Sequence, residues 1–90
     1  MLIKYFATLR DITRKNEEQW ADPPADVRAL VKALVARYGA EFARWVIPDG
    51  QDLGLSVVLV NGKDVRSLQR LDTPLLDSDE VFIFPPVAGG

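Results

Sequence analysis

The end of the chain limits the fold most, because a strand runs there into a segment that cannot continue it. Residues Val81 to Phe84 are β-branched or aromatic, which favours a half-buried strand. Pro85 and Pro86 follow, and neither has a backbone N–H to donate to a sheet ladder. The sequence therefore predicts a last strand that stops before the prolines and a flexible tail, 85–90, whose stiff proline pair holds 87–90 away from the sheet.

Two glycines, Gly89 and Gly90, end this tail and leave its backbone bare. Such a segment can enter a channel only as wide as a backbone, and it can bend there with positive φ. A frayed terminus would have the same composition, since the ends of most domains are poorly ordered. The succession of strand, double proline and small residues instead favours a tail that presents the terminal carboxylate of Gly90 as a reactive group.

Three segments together resemble the ubiquitin-like sulfur carriers, specifically the small subunit of molybdopterin synthase (MoaD-like) and its thiamine-pathway relatives (ThiS type). Residues 77–90 are similar to the family's ending, which is Asp-Gly-Asp-Glu-Val, a few apolar residues, and Pro-Pro-Val-small-Gly-Gly. Residues 4–11 resemble the opening strand with its Phe-Ala-x-Leu-Arg motif, and 60–62 resemble the middle hairpin. The terminal motif is the specific part, and the resemblance covers nearly the whole chain.

The order of predicted elements is strand, strand, helix, strand, short strand and strand, within one domain that spans 1–90. The predicted strands are 1–7, 17–21, 56–60, 63–66 and 81–84, with a main helix from the N-cap Asp26 to Gly39 and a short helical segment over 41–46. The resemblance implies an α+β, β-grasp (ubiquitin-like) fold. Its mixed four- to five-stranded sheet would have parallel first and last strands at the centre, with one main helix packed on one face.

Two smaller expectations concern the connections. Residues 9–15 are predicted to form a loop between the first two strands. Leu68 and Leu71, which follow the hairpin, are predicted to pack inward.

Composition narrows the chemistry of the chain. It has no Cys and no His, which excludes thiol nucleophiles, the usual zinc sites and Ser-His relays. A net charge of −2 and a pI near 4.9 give no basic surface for nucleic acid or for an anionic membrane. No apolar run approaches the ~20 residues that span a bilayer. We expect a cytoplasmic protein that binds no cofactor and is not an enzyme by itself.

A group of phenylalanines is a candidate docking surface. Phe82 and Phe84 alternate onto one face of the last strand, and Phe6 of the first strand is expected beside them, on the sheet surface away from the main helix. Aromatic anchors supply much of the energy of interfaces. The alternative is that the short helix or the loop 48–55 folds over Phe82. The resemblance implies that Phe6 and Phe84 pack against the large subunit of molybdopterin synthase.

The resemblance also implies the reaction of the tail. A carboxylate is a poor electrophile, so an E1-like adenylyltransferase and sulfurylase that uses ATP and Mg first adenylates Gly90, which sulfur then converts to a thiocarboxylate. In molybdopterin synthase the loaded tail enters the large subunit and delivers sulfur to a pyranopterin, forming the dithiolene that holds molybdenum or tungsten. Gly90 and Gly89 are the predicted reaction site. The predicted partner contacts are Phe6, Phe82, Phe84, Pro85, Pro86, Val87 and Ala88.

Three acidic residues before the last strand, Asp77, Asp79 and Glu80, form a second candidate site. Their spacing fits a metal or acid–base cluster poorly, because neighbours in a strand point to opposite faces and no glycine stands where a calcium loop would turn. A solvated turn is the favoured interpretation, and no metal site is predicted. The family usually has Gly where this chain has Ser78, which would be strained if the turn required positive φ.

The sequence leaves the pathway open. The connection 44–55 is longer than expected for a synthase small subunit, and carriers that serve cysteine or other thio-metabolite pathways also end in Val-Ala-Gly-Gly. Thiamine synthesis is a further alternative. The rival classes are a ubiquitin-like modifier joined to protein lysines and a passive β-grasp interaction domain, and only the passive domain has no need of a free Gly-Gly end.

Overall fold

The computed structural model describes residues 1–86 of the 90-residue chain. The strands are β1 (Leu2–Tyr5), β2 (Glu17–Gln19), β3 (Val57–Val60), β4 (Lys63–Asp64) and β5 (Glu80–Phe84). The helices are α1 (Thr8–Thr13), α2 (Val27–Tyr38) and α3 (Ala40–Val46), and two 3-10 turns cover Val65–Ser67 and Arg70–Asp72. The strands form one mixed sheet in the order β2-β1-β5-β3-β4.

The centre of the sheet is the parallel pair β1 and β5, while the other neighbouring strands are antiparallel. Ile3 pairs with Val81, and Tyr5 pairs with Ile83; all four side chains are buried. The alternation of apolar residues along both strands places this set on one face, where it forms part of the core. The predicted β-grasp topology is therefore confirmed.

Helix α2 begins and ends where its sequence predicts. The side chain of Asp26 accepts a hydrogen bond from the backbone N–H of Ala29 at 2.9 Å, which satisfies one of the free donors of the first turn. Gly39 has φ 87° and donates its N–H to the carbonyl of Val35 at 2.7 Å, so the helix stops there. The residues buried along the helix are Val27, Leu30, Val31 and Leu34.

The helices cover one face of the sheet. The ring of Tyr5 meets the ring of Tyr38 edge-on at 6.1 Å between centroids and that of Phe42 at 6.3 Å. Tyr38 ends α2, and the buried Phe42 belongs to α3. Because Tyr5 alternates with Lys4 and Phe6, the opposite face of β1 points away from these two helices.

One predicted loop is wrong: part of 9–15 is helical, in α1. The segment buries Leu9, and the hydroxyl of Thr13 donates to the carbonyl of Leu9 at 2.8 Å. Arg14 ends the helix with φ 62°, in the left-handed region. A helix of six residues is too short for its apolar period to stand out in the sequence.

The segment after the β3–β4 hairpin also differs from its prediction. Strand β4 ends at Asp64, two residues early, because the Asp64 carboxylate accepts a hydrogen bond from the N–H of Arg66 at 2.9 Å and starts a 3-10 turn. Leu71 is buried as expected. Leu68 is 41% exposed, so the prediction that it packs inward is wrong. It is the residue that ends the 3-10 turn, where its backbone has φ −108° and ψ −118°.

Over residues 1–86, the structure contains no helix with the length and apolar character that a membrane crossing requires.

Candidate functional site

The root of the tail lies at the middle of the sheet. Strand β5 ends at Phe84, directly before Pro85, as the missing N–H of proline predicts. Pro85 is buried and Pro86 is half-buried. Since β5 has β1 on one side and β3 on the other, the chain leaves the sheet between two strands.

The remaining tail residues, Val87, Ala88, Gly89 and Gly90, lie outside the described residues. Their predicted roles as partner contacts and as the reaction site therefore stay predictions.

Phe6, Phe82 and Phe84 come together on the sheet face opposite α2 and α3, and we call this group the aromatic face. The rings of Phe6 and Phe84 stack at 4.1 Å between centroids with 12° between their planes, and Phe6 lies 5.6 Å from Phe82. All three side chains are half-buried and stand outside the core cluster. The structure thus leaves Phe82 partly open to solvent rather than enclosed by a loop.

Two residues of β3 widen the aromatic face. Val57 pairs with Phe84 and Leu59 pairs with Phe82, so each shares the face of its partner. Both are half-buried. An apolar surface on a central part of the sheet, next to the tail, has the composition expected of an interface core.

Two cations border the aromatic face, and the sequence did not assign them a role there. The Lys4 ammonium lies 5.3 Å from the centre of the Phe82 ring, and the Arg10 guanidinium lies 5.2 Å from that of Phe6. Arg10 is also fixed by a hydrogen bond from its Nε to the carbonyl of Tyr5 at 3.0 Å. Its position depends on helix α1, which the sequence did not predict. Apolar residues with positive neighbours suit a partner surface that is apolar with an acidic margin.

The acidic turn before β5 is structural, which corrects the solvated-turn interpretation for Asp79. That side chain is buried, and its carboxylate accepts hydrogen bonds from Asn61 Nδ2 and from the N–H of Leu76, each at 2.8 Å. Asn61 in turn accepts from the N–H of Glu80 at 3.0 Å. Within residues 1–86 there is no group of three or more Asp, Glu, His or Cys side chains that could hold a metal ion. Ser78 is not among the described residues with positive φ, so the turn does not require the conformation in which Ser would be strained.

Glu18 is a charged centre that sequence reasoning missed. Its carboxylate, almost fully buried, accepts hydrogen bonds from the hydroxyls of Tyr5 at 2.5 Å and of Tyr38. Lys15 and Arg37 reach the same carboxylate at 3.2 Å and 3.1 Å. Glu18 thereby links the edge strand β2 to helix α2, since Tyr38 and Arg37 belong to that helix.

These contacts change two pKa values in opposite directions. Burial, together with the neighbouring Glu18 carboxylate, raises the pKa of Tyr5, so its hydroxyl stays protonated and donates. Burial alone would raise the pKa of Glu18, but the hydrogen bonds from Tyr38, Tyr5 and Lys15 outweigh it and lower that pKa below its ordinary value of 4.5. The carboxylate is therefore charged at neutral pH.

The sequence profile of the ThiS family matches residues 3–90. Small archaeal modifier protein 3 of Haloferax volcanii is 37% identical over 89 residues, which cover 98% of this chain and 96% of that protein. The molybdopterin synthase sulfur carrier subunit of Escherichia coli is 34% identical over the same length and coverage.

Solved structures agree with this relationship. The solution structure of a Haloferax volcanii protein superposes with a TM-score of 0.82 at 36% identity, covering 99% of this chain and 84% of that one. The crystal structure of the BexX/CysO complex of Amycolatopsis orientalis contains a chain that matches with a TM-score of 0.80 at 27% identity, covering 99% and 98% of the two chains. With its parallel β1–β5 centre, its single helix-covered face and a family match that extends to residue 90, this chain belongs to the ThiS family of ubiquitin-like sulfur carriers.

Proposed function

We propose that this protein carries sulfur as a thiocarboxylate on Gly90. The observation that carries the proposal is the family match through residue 90, which includes the Gly-Gly end. The fold supports it, because β5 is paired with β1 up to Ile83 and with β3 up to Phe84, which gives the tail a rigid base. A rigid base and a bare backbone suit a group that must be inserted into a second protein's active site.

The chemistry requires an activating partner of the E1 type. A carboxylate oxygen of Gly90 attacks the α-phosphorus of ATP, held with Mg in that partner, and pyrophosphate leaves. The persulfide of a partner cysteine then attacks the acyl carbon, and AMP leaves. A second thiol cleaves the S–S bond of the resulting acyl disulfide and releases the thiocarboxylate. Since this chain has no Cys, both sulfur groups belong to other proteins.

The destination that we propose for the sulfur is molybdopterin. The similarity to the Escherichia coli carrier subunit supports this assignment, as does the terminal motif. The aromatic face would then pack against the large subunit of molybdopterin synthase, while the tail enters its active site. No catalytic acid or base is required of this chain in such a complex.

A second candidate function is protein modification, which the similarity to small archaeal modifier protein 3 favours. The two functions share the first step, since both begin with the acyl adenylate of Gly90. In the modifier, a lysine amine of a target protein attacks the acyl carbon and forms an isopeptide bond, again with loss of AMP. Sulfur loading and conjugation are therefore alternatives at one carbon atom.

A loading assay tests the proposed function. The chain is incubated with ATP, Mg, a sulfur donor and the E1-like enzyme of its own organism, and its mass is measured. We expect the unchanged protein to gain a thiocarboxylate and a variant with one residue added after Gly90 to gain none, because its acyl carbon is already in an amide. Gly89→Ala should load more slowly, since the added Cβ crowds a channel as narrow as a backbone.

The control omits the activating enzyme, and the protein should then stay unmodified. Equal loading of the extended variant, or loading without the enzyme, would contradict the proposal.

A further inference from the structure

Leu55 is an apolar side chain that the fold leaves open to solvent. It is 80% exposed, compared with 66% for Leu76 and 41% for Leu68. Single exposed leucines are ordinary on protein surfaces. Leu55 differs from an ordinary exposed leucine in two ways. Hydrogen bonds hold the residues on both sides of it, and it lies near the end of β5 from which the tail leaves.

The backbone around Leu55 is fixed on both sides. Ser56 is fully buried, and its hydroxyl bonds to the carbonyls of Val46 at 2.8 Å and of Leu53 at 2.6 Å. On the other side, the Arg66 guanidinium donates to the carbonyl of Gly54. Leu55 thus stands on a loop whose neighbours are bound to α3 and to the turn after β4, so little conformational entropy is lost when a partner covers it.

The pairing of β3 with β5 brings the segment that contains Leu55 to the end of β5 from which the tail leaves. Val57 pairs with Phe84 in the antiparallel ladder of β3 and β5. Leu55 lies in a turn two residues before Val57, and Pro86 lies two residues after Phe84. Leu55 therefore lies two residues from Val57 of the aromatic face, at the same end of β5 from which the tail leaves the sheet.

The segment from Pro86 to Gly90 is short, so an enzyme that reacts with Gly90 must bind close to Pro86. Four residues follow Pro86, and at ~3.3 Å per residue they reach about 13 Å. An enzyme that brings the carboxylate of Gly90 to its own ATP must therefore come within about 13 Å of Pro86. The walls of a tail channel that encloses ATP then cover the surface at this end of β5, where the segment before β3 presents Leu55.

We propose that Leu55 enters an apolar pocket beside the tail channel of the adenylating enzyme and helps that enzyme to recognise this carrier. The inference rests on the proposed function, because it requires Gly90 to be adenylated. It holds equally for the sulfur carrier and for the protein modifier, since both need that step.

The test is ATP–pyrophosphate exchange by the E1-like enzyme of the same organism, measured against the concentration of the carrier. For Leu55→Ser we expect the KM of the carrier to rise about tenfold, as for a truncated interface anchor, with kcat unchanged because Leu55 does not touch the carboxylate. Leu55→Met should restore the KM. The matched control is Leu76→Ser, which removes a similarly exposed leucine in the loop that precedes the opposite end of β5 and should leave KM unchanged.

An unchanged KM for Leu55→Ser, or an equal rise for Leu76→Ser, overturns the inference while the proposed function stands. Absence of exchange with the unchanged protein overturns both. Melting temperatures of the variants should match that of the unchanged protein, so a loss of folding is distinguished from a loss of recognition.

Discussion

Glu18 shows how one side chain joins two elements that are distant in sequence. It belongs to a three-residue edge strand, yet it receives hydrogen bonds from Tyr5 on β1 and Tyr38 at the end of α2. The sequence Glu-Glu-Gln predicts an exposed edge strand, and Glu17 and Gln19 are indeed exposed. The partners of Glu18 are 13 and 20 residues away, so the local pattern gives no indication of them.

The charge of Glu18 should stabilise the fold in a pH-dependent way. Its pKa is lowered in the folded protein, so its contribution is present at neutral pH and is lost as the pH falls from about 4.5 through the lower folded value. Glu18→Gln should reduce the free energy of unfolding by about 2 kcal/mol at neutral pH, the scale of hydrogen bonds to a charged group. Urea unfolding measured at neutral pH and near pH ~3 should show that the difference from the unchanged protein shrinks in acid.

Glu41→Gln is the matched control for this change. Glu41 is exposed on α3 and pairs with Arg44 at 3.3 Å. Exposed pairs of this kind contribute at most about 1 kcal/mol, so the control should differ little from the unchanged protein. A loss for Glu18→Gln no larger than that of the control would show that the Glu18 contacts do not stabilise the fold.

Strand β5 has one side in the core and the other on the aromatic face, and substitutions at adjacent residues can distinguish the two. Ile83 is fully buried in the core, whereas its neighbour Phe84 is half-buried on the aromatic face and stacks on Phe6. Phe84→Ala should weaken binding to the proposed partner, the large subunit of molybdopterin synthase, by about 2 kcal/mol or more, as expected of an interface anchor. Its effect on unfolding should be smaller than the roughly 3–5 kcal/mol of a core Phe→Ala change.

Ile83→Ala is the comparison. It should lower the stability of the fold strongly and change the affinity of the folded protein for the partner little. Removing a core isoleucine costs about 2–5 kcal/mol of unfolding free energy. Calorimetric titration and thermal melting of both variants measure the two effects. If Phe84→Ala keeps its partner affinity and melts like Ile83→Ala, Phe84 belongs to the core and the docking assignment is wrong.

Elements with strong local patterns were predictable from the sequence, and short ones were not. Helix α2 carries its own N-cap at Asp26, its C-terminal Gly39 and a full apolar stripe, and β5 is bounded by the prolines. Helix α1 has only six residues, too few for a recognisable apolar stripe, and it forms because Leu9 is buried by the rest of the fold. Leu68 was predicted inward from hydrophobicity alone, but its outcome depended on where a 3-10 turn ends.

In the whole molecule, some surface features follow from local sequence patterns, and others arise only when the strands pair into a sheet. Alternation in β1 and β5 predicted that Phe6, Phe82 and Phe84 share a face, and the structure brings them together. The flanking Arg10 and the place of Leu55 depend on α1 and on the register of β3, which no local pattern encodes. The described part of the molecule is thus a rigid sheet that presents an apolar face beside the root of its tail.

The central claim is that Gly90 carries the sulfur, and intact mass spectrometry of the protein isolated from its own cells tests it most directly. The account predicts a fraction heavier by the replacement of one oxygen by one sulfur, and fragmentation should place the change at Gly90. A chain found mainly in isopeptide conjugates would identify a modifier instead. A chain that carries neither change, in cells where a variant extended beyond Gly90 is fully functional, would contradict the claim.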